Sequence, residues 1–502
     1  MSKRAELLLD MKKSIGTINP LIYGHFSEHI GGVFYDGLWV GEDSKIDNIR
    51  GFRKSLVESF RKIHPSVLRW PGGCFAETYD WRDGIGPRDR RPERINWWYD
   101  LDKRTESNAV GTHEFIDFCR MVGAEPYIAA NVTTTYALNI RNWIEYCNMP
   151  EGLTTLTRLR GENGHPAPFN VQYWGIGNEN WGGGGQMTPE MYAREYLRYI
   201  TICRPVRDEN TKFIMCGANS ANLEWTRRLL KEWRTDGHRL LVNSWGMSVH
   251  YYCGTAGTPQ EFTEDEWYQL MFKADVMKKV VDGNSAAMYE FDPDRRLHLV
   301  VDEWGCWHQD GTGPSKGYNL FEQQSNMRDA VVAALTLNTF NNRCDVVAMA
   351  NVAQLCNNLH SLYLAGGENF VETPNYHVFD MFKTHQGGRQ IAVRPCCETL
   401  EREGFSPLET LSASASEKDG KVTITLANLN VTDTQNVKLT CAGGELKGKA
   451  VMTVLRSADP HTCNTFENPT AVTPTTSEIT LTGDDVIDVP AASVVSIVID
   501  KE

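Results

Sequence analysis

The feature that most constrains this chain is a short continuous apolar run that recurs eight times, most often followed by a stretch in which apolar residues recur at helical spacing. The runs are LIYGHF (21–26), VLRWPGG (67–73), PYIAANV (126–132), VQYWGIGN (171–178), FIMCGAN (213–219), WGMSVHYY (245–252), LHLVVDEW (297–304) and DVVAMANVAQL (345–355). Between them lie the amphipathic stretches FRKSLVESFRKIH, HEFIDFCRMVG, PEMYAREYLRYITICRPV, WTRRLLKEW, WYQLMFKADVMKKVV and SNMRDAVVAALTLNTF. Strands apolar on both faces, each followed by a helix, build a parallel sheet covered by helices. Eight such units predict an α/β fold, a closed (β/α)8 TIM barrel. An open doubly wound sheet is the alternative, but no GxGxxG follows the first run to favour it.

After about residue 395 the texture changes to short alternating runs, KVTITLANLN, NVKLTC, AVMTVLR, EITLTG and SVVSIVID, separated by Gly, Asp, Asn and Pro. These predict a C-terminal antiparallel β-sandwich of jelly-roll type. The expected organisation is an N-terminal segment over 1–17 that adds a strand to the sandwich, a barrel over 18–394 and the sandwich over 395–502.

A chain of 502 residues with 41% hydrophobic residues can bury a large core. The start, MSKRAELLLDMKKS, has no secretory apolar stretch and no window is long enough to span a membrane, so a soluble cytoplasmic protein is expected. Thirteen cysteines without CxxC pairs argue against both a zinc ribbon and a disulfide framework. A net charge of −13 argues against nucleic acid as a partner.

Active sites of such barrels lie at the C-terminal ends of the strands. Polar residues gather there: His25, Ser27, Glu28 and His29 after the first run, Arg69 and the PGGC turn after the second, Asn178 and Glu179 after the fourth. His250, Tyr251 and Tyr252 end the sixth, Asp302 and Glu303 the seventh, Asn351 and Gln354 the eighth. Two carboxylates flanking an acetal oxygen are what glycoside hydrolysis needs, and Glu179 with Glu303 supply a pair at one mouth. Tryptophans nearby, among them Trp98 and Trp307, suit the apolar faces of sugar rings. Each residue taken alone has a plainer reading: a glutamate after a strand as a cap or ion-pair partner, tryptophans as core, His250 as a satisfied core histidine rather than a metal ligand. Their coincidence at several strand ends is what points to chemistry.

The motifs FSEHIGG, RWPGGCFAETYDWRDGIGP, YWGIGNENWGGGG, SVHYY, VDEWGCW and MANVAQL, in this order along the chain, resemble the family 51 glycoside hydrolases, α-L-arabinofuranosidases of the retaining (β/α)8 clan. The resemblance implies Glu179 as general acid/base and Glu303 as nucleophile. It implies that Asn178, Glu28 and Gln354 contact the sugar and that Tyr252, rather than Tyr251, orients the nucleophile. Cys74 stands where many relatives have asparagine, and its thiol is a weak donor. Trp98 or Trp307 is expected to touch substrate.

The implied reaction is double displacement with retention, which needs one carboxyl protonated and the other ionised at about 5 to 5.5 Å separation. No metal or organic cofactor is called for. The expected substrates are arabinofuranosyl oligosaccharides or polysaccharides derived from arabinoxylan or arabinan, attacked from the end, by an enzyme that is a homo-oligomer by analogy with the family. A β-xylosidase or endo-glucanase on the same scaffold is the alternative within the class, and a non-catalytic carbohydrate-binding protein the alternative outside it.

Overall fold

The computed structural model describes residues 2–99, 104–235 and 244–500. Eight parallel strands close into a barrel: β1 (Gly24–Phe26), β2 (Val67–Trp70), β3 (Glu125–Ala130), β4 (Tyr173–Ile176), β5 (Lys212–Met215), β6 (Ser244–Gly254), β7 (His298–Trp307) and β8 (Val347–Ala353). Neighbours in the barrel are neighbours in sequence, and β8 pairs with β1 to close the ring. Every expected strand is present. The first is shorter than its apolar run, because Asn19 accepts a hydrogen bond from Leu21 N–H and Pro20 opens a 3₁₀ turn over Pro20–Tyr23. Strand pairing starts only at Gly24, where a Cβ would lie 2.5 Å from side-chain atoms of both Val67 and Asn351.

The expected amphipathic stretches fold as Lys54–Lys62, Thr112–Val122, Pro189–Ile202, Leu223–Thr235, Glu264–Tyr289 and Met327–Asn341. Their starts are chemically marked: Thr188 caps the third with Pro189 at its first position, and Thr263 with Glu266 forms a capping box on the fifth. Helices Ala137–Asn148, Thr155–Glu162 and Pro374–Phe382 are additional. Helix Met327–Asn341 is buried along its whole length. It lies between barrel and C-terminal sheet, and Asn338, Asn341 and Asn342 reach Ser412, Ser414 and the Ala413 carbonyl.

The C-terminal region forms a nine-stranded sheet. Strand Arg389–Cys396 serves two neighbours: its first half pairs with Leu411–Lys418 and its second with the N-terminal strand Ser2–Asp10. The chain therefore enters this sheet before residue 395, where the change in texture is seen. A second core fills it, including Leu7, Leu9, Ile391, Ile424, Leu426, Val437 and Ile497. The sheet is not wholly antiparallel as expected, because Ser2–Asp10 runs parallel to Thr434–Ala442. Among the described residues no helix is long and apolar enough to cross a membrane.

Inside the barrel, Val67, Tyr127, Tyr173, Ile214, Val300 and Met349 form an apolar cluster contributed by six strands. The next inward-facing residues along β2, β6 and β7 are Arg69, His250 and Asp302, all buried. The charged groups thus stand on an apolar plug at the C-terminal ends of the strands.

Candidate active site

Arg69 organises the mouth. Its Nη1 donates to Glu303 Oε1 and its Nη2 to Asn178 Oδ1, each at 2.7 Å, while Nε lies 3.5 Å from Asp302 Oδ2. The guanidinium packs over the Phe26 ring at 4.5 Å. Burial works against its charge, but Asp302 and Glu303 outweigh burial and raise its pKa.

Glu303, at 5% exposure, is held at both oxygens, because Tyr252 Oη donates to Oε2 at 2.9 Å. Burial raises its pKa; His250 and Arg69 pull it down, and the charge of Glu179 pushes it up, leaving it above the ordinary carboxylate value. The side chain of Glu179 is 20% exposed, and its Oε1 lies 2.8 Å from His250 Nδ1. The backbone of Glu179 is left-handed, with φ of 42°. An oxygen of Glu179, one of Glu303 and a ring nitrogen of His250 all lie within 4.8 Å of one another.

His250 is no neutral core histidine. Its Nδ1 is 3.4 Å from Glu303 Oε2 and its Nε2 is 2.9 Å from Asp302 Oδ1. Burial lowers its pKa, but Glu303, Asp302 and Glu179 together push it up to about 10. An imidazolium therefore bridges the two glutamates at neutral pH. Tyr127 completes the underside by donating to Asp302 Oδ2 at 2.8 Å.

Glu28 lies across the mouth. Its Oε1 accepts from Phe75 N–H at 3.0 Å and Trp98 Nε1 at 2.9 Å, and its Oε2 from Gln354 Nε2 at 3.1 Å. Burial, with the charge of Glu303, pushes its pKa up to about 7 despite these donors. Gln354 Oε1 in turn accepts the Glu28 N–H at 2.8 Å. The Cys74 thiol lies 3.8 Å from Asn178 Nδ2 and 3.9 Å from Glu179 Oε2. Trp307 packs edge-on to Tyr252 and, with Trp98, against Phe321. Tyr252 is the residue aimed at Glu303; the hydroxyl of Tyr251 turns away to the Lys273 carbonyl.

All nine residues expected at the site, Glu28, Cys74, Trp98, Asn178, Glu179, Tyr252, Glu303, Trp307 and Gln354, thus stand in one connected cluster. The sequence gives no sign of Glu77. This buried carboxylate accepts from the backbone of Asn178, Val132 and Thr133 at 2.7 to 2.9 Å and from Asn180 Nδ2 at 3.0 Å. It holds the turn that carries Asn178 and Glu179 to the loop after β3. Its partners are distant in sequence, so no local pattern marks it.

A closed barrel with paired glutamates ending β4 and β7, beside an aromatic wall, is the architecture of a glycoside hydrolase. Residues 59–254 match the family model for the α-L-arabinofuranosidase 1 domain, and residues 302–493 that for the α-L-arabinofuranosidase C-terminal domain. An intracellular exo-α-L-arabinofuranosidase of Bacteroides ovatus is 36% identical over 95% of this chain and 92% of its own. The crystal structure of the family 51 arabinofuranosidase of Xanthomonas axonopodis pv. citri superposes with a TM-score of 0.92 at 33% identity, covering 99% of this chain and all of that one. The α-L-arabinofuranosidase of Thermotoga maritima in complex with arabinose gives a TM-score of 0.88 at 30% identity, with 99% and 100% coverage. The chain belongs to the family 51 α-L-arabinofuranosidases.

Proposed function

We propose that the chain is an exo-acting α-L-arabinofuranosidase working by double displacement, with Glu303 as nucleophile and Glu179 as acid/base. The observation that carries this reading is the asymmetry of the pair. Glu303 is buried and clamped through both oxygens, as befits a group that must be aimed at the anomeric carbon. Glu179 is partly open to solvent, where it can protonate a leaving oxygen and then deprotonate an incoming water. Their oxygens, within 4.8 Å, fit the short spacing of retaining enzymes, since inversion requires a gap of about 6.5 Å or more to admit water between them.

In the first step Glu303 forms a bond to the anomeric carbon as Glu179 gives its proton to the departing oxygen. Water then attacks the glycosyl-enzyme ester, Glu179 takes its proton, and Glu303 leaves as carboxylate. Asn178, fixed by Arg69, faces the hydroxyl beside the anomeric carbon, while Glu28 and Gln354 bind hydroxyls deeper in.

Exo action is supported by the way the loops after β2 and β7 meet. Arg104 stacks on Tyr318 and donates to Asn319, and Trp98 contacts Phe321, so one end of the mouth is walled. The substrates are arabinofuranosyl oligosaccharides derived from arabinoxylan or arabinan, and the intracellular designation of the Bacteroides relative supports hydrolysis of short fragments inside the cell. Comparing rates on p-nitrophenyl α-L-arabinofuranoside, β-xyloside and β-glucoside, with NMR of the first-formed product, tests both parts. Arabinoside preference and an α product are expected; xyloside preference overturns the substrate, and a β product overturns the mechanism.

A further inference from the structure

A second cluster of buried donors lies beyond the mouth, where the end of β7 meets helix Met327–Asn341, and the reaction does not use it. Cys306 Sγ, a ring nitrogen of His308 and a carboxylate oxygen of Asp329 lie within 4.8 Å of one another, and all three residues are buried. His308 Nε2 is 3.0 Å from Asp329 Oδ1, and His360 Nδ1 approaches the same oxygen at 3.8 Å.

A plain reading is a histidine–aspartate pair fastening a loop to a helix. It accounts for His308 Nε2, and core packing beside Cys253 accounts for Cys306, but the remaining imidazole nitrogens are left unexplained. His360 is fully buried and neither of its ring nitrogens has a hydrogen-bond partner; His308 Nδ1, also buried, has none. Proteins rarely bury imidazole nitrogens unsatisfied, because desolvating them without a partner is costly.

We propose that Cys306, His308, Asp329 and His360 form a structural zinc site. One thiolate, two imidazoles and one carboxylate make a donor set suited to a closed tetrahedral zinc. Zinc bonds of about 2.0 to 2.3 Å put tetrahedral donors about 3.3 to 3.8 Å apart. The separations of 3.0 and 3.8 Å around Asp329 Oδ1 bracket that range.

The surroundings are arranged as the neighbours of metal ligands are. Gln323 Oε1 accepts the His308 backbone N–H at 2.9 Å, and its Nε2 donates to the Cys306 carbonyl at 3.3 Å. Asp329 Oδ2 accepts Asn326 N–H at 3.0 Å, which orients the carboxylate. Gly305 lets His360 come close, since a Cβ there would lie 2.5 Å from the His360 Cβ. Arg328, next to Asp329 in sequence, spends its terminal nitrogens on the carbonyls of Ala256 and Thr258. Zinc would bind with release of the Cys306 proton to solvent. It would tie the strand that carries Glu303 to the helix after it and to the loop that follows Gln354.

The full-length protein, expressed with zinc in the medium and purified without chelator, is the material for the test. Elemental analysis should find about one zinc per chain in the wild type, and less than about one-fifth of that in Cys306→Ser and His308→Gln. Glu303→Gln is the control for metal held at the mouth by Glu179, His250 and Glu303, and it should keep its zinc. Zinc returned to chelator-stripped wild type should raise Tm, and cobalt in its place should show thiolate-to-metal charge-transfer absorption that Cys306→Ser lacks. A wild type without zinc, whose Tm zinc does not move, overturns the proposal. So does zinc lost in Glu303→Gln and kept in Cys306→Ser. Should the variants not fold, the cobalt-loaded wild type decides, and absence of the charge-transfer band overturns the site.

Discussion

Tyr252 Oη donates to Glu303 Oε2 at 2.9 Å, from a strand that lies directly beside that of Glu303 in the barrel. Burial and the charges of Glu303 and Glu179 hold the phenol well above its ordinary pKa, so it remains a donor at every working pH. Tyr252→Phe removes this bond and leaves the ring against Trp307. Since a hydrogen bond to a charged group contributes about 1.5 to 3 kcal/mol, kcat should fall about 10- to 100-fold with little change in Tm. Steady-state kinetics beside a melting curve checks both halves.

Glu179→Ala should distinguish leaving groups. Loss of a general acid costs about 100- to 10,000-fold when the leaving oxygen needs a proton, and far less for p-nitrophenolate. Azide should restore turnover of the activated substrate and yield a glycosyl azide of retained configuration. Glu303→Ala should abolish turnover of both substrates; activity surviving in that variant would falsify the assignment of the nucleophile.

The charge on His250 gives a pH signature. Its folded pKa, about 10, lies above the unfolded value of about 6.5. The folded state therefore holds the proton more tightly, and the stability this contributes is fully present below pH 6.5 and lost as pH rises through 10. His250→Asn should melt below the wild type at pH 6.5, and the gap should narrow steadily to pH 10. A gap independent of pH across that range contradicts an imidazolium between the glutamates.

Glu77→Gln tests the buried acceptor beneath the Asn178–Glu179 turn. An amide has one accepting oxygen, so two of the four donors are left unsatisfied, each at a cost of about 1 to 3 kcal/mol. Chemical denaturation should show that loss, and kcat should fall while the charge state of the mouth is otherwise unchanged.

Trp98→Phe removes the indole donor to Glu28 and keeps an aromatic face. Glu28, already pushed up to about 7 by burial and Glu303, then loses one of the hydrogen bonds that stabilise its carboxylate form. KM for arabinosides should rise several-fold, and the pH at which KM changes should move upward. A rise in KM without that movement places Trp98 as a sugar contact alone.

The barrel was legible because its strands are buried on both faces, which makes each a continuous apolar run that local sequence displays. The first strand is shorter than its apolar run because LIY, though apolar, takes its backbone from Asn19 and Pro20. The site was legible where strand ends carry the reactive groups, as at Asn178, Glu179 and Glu303. Glu77 and the charge of His250 were not. Both depend on partners brought together only by closure of the barrel: Glu77 meets Asn178 across about a hundred residues, and His250 meets Glu179 and Asp302 from two other strands. Helix Thr155–Glu162 shows no apolar stripe in the sequence, since it is held by a capping box and by Arg160, which spans carbonyls of Tyr146, Met149 and Pro166.

Strand Ser2–Asp10 has its two partners at Arg389–Cys396 and Thr434–Ala442. During synthesis it leaves the ribosome ahead of the barrel, yet both edges it needs are made only after the barrel. It must wait, unpaired, while the whole barrel is translated. Its charged residues, Lys3, Arg4, Glu6 and Asp10, keep such an edge from recruiting strands of other nascent chains. A message cut short before those partners would leave that strand without a place, so that Ser2–Asp10 reports on whether the strands beyond the barrel have been made.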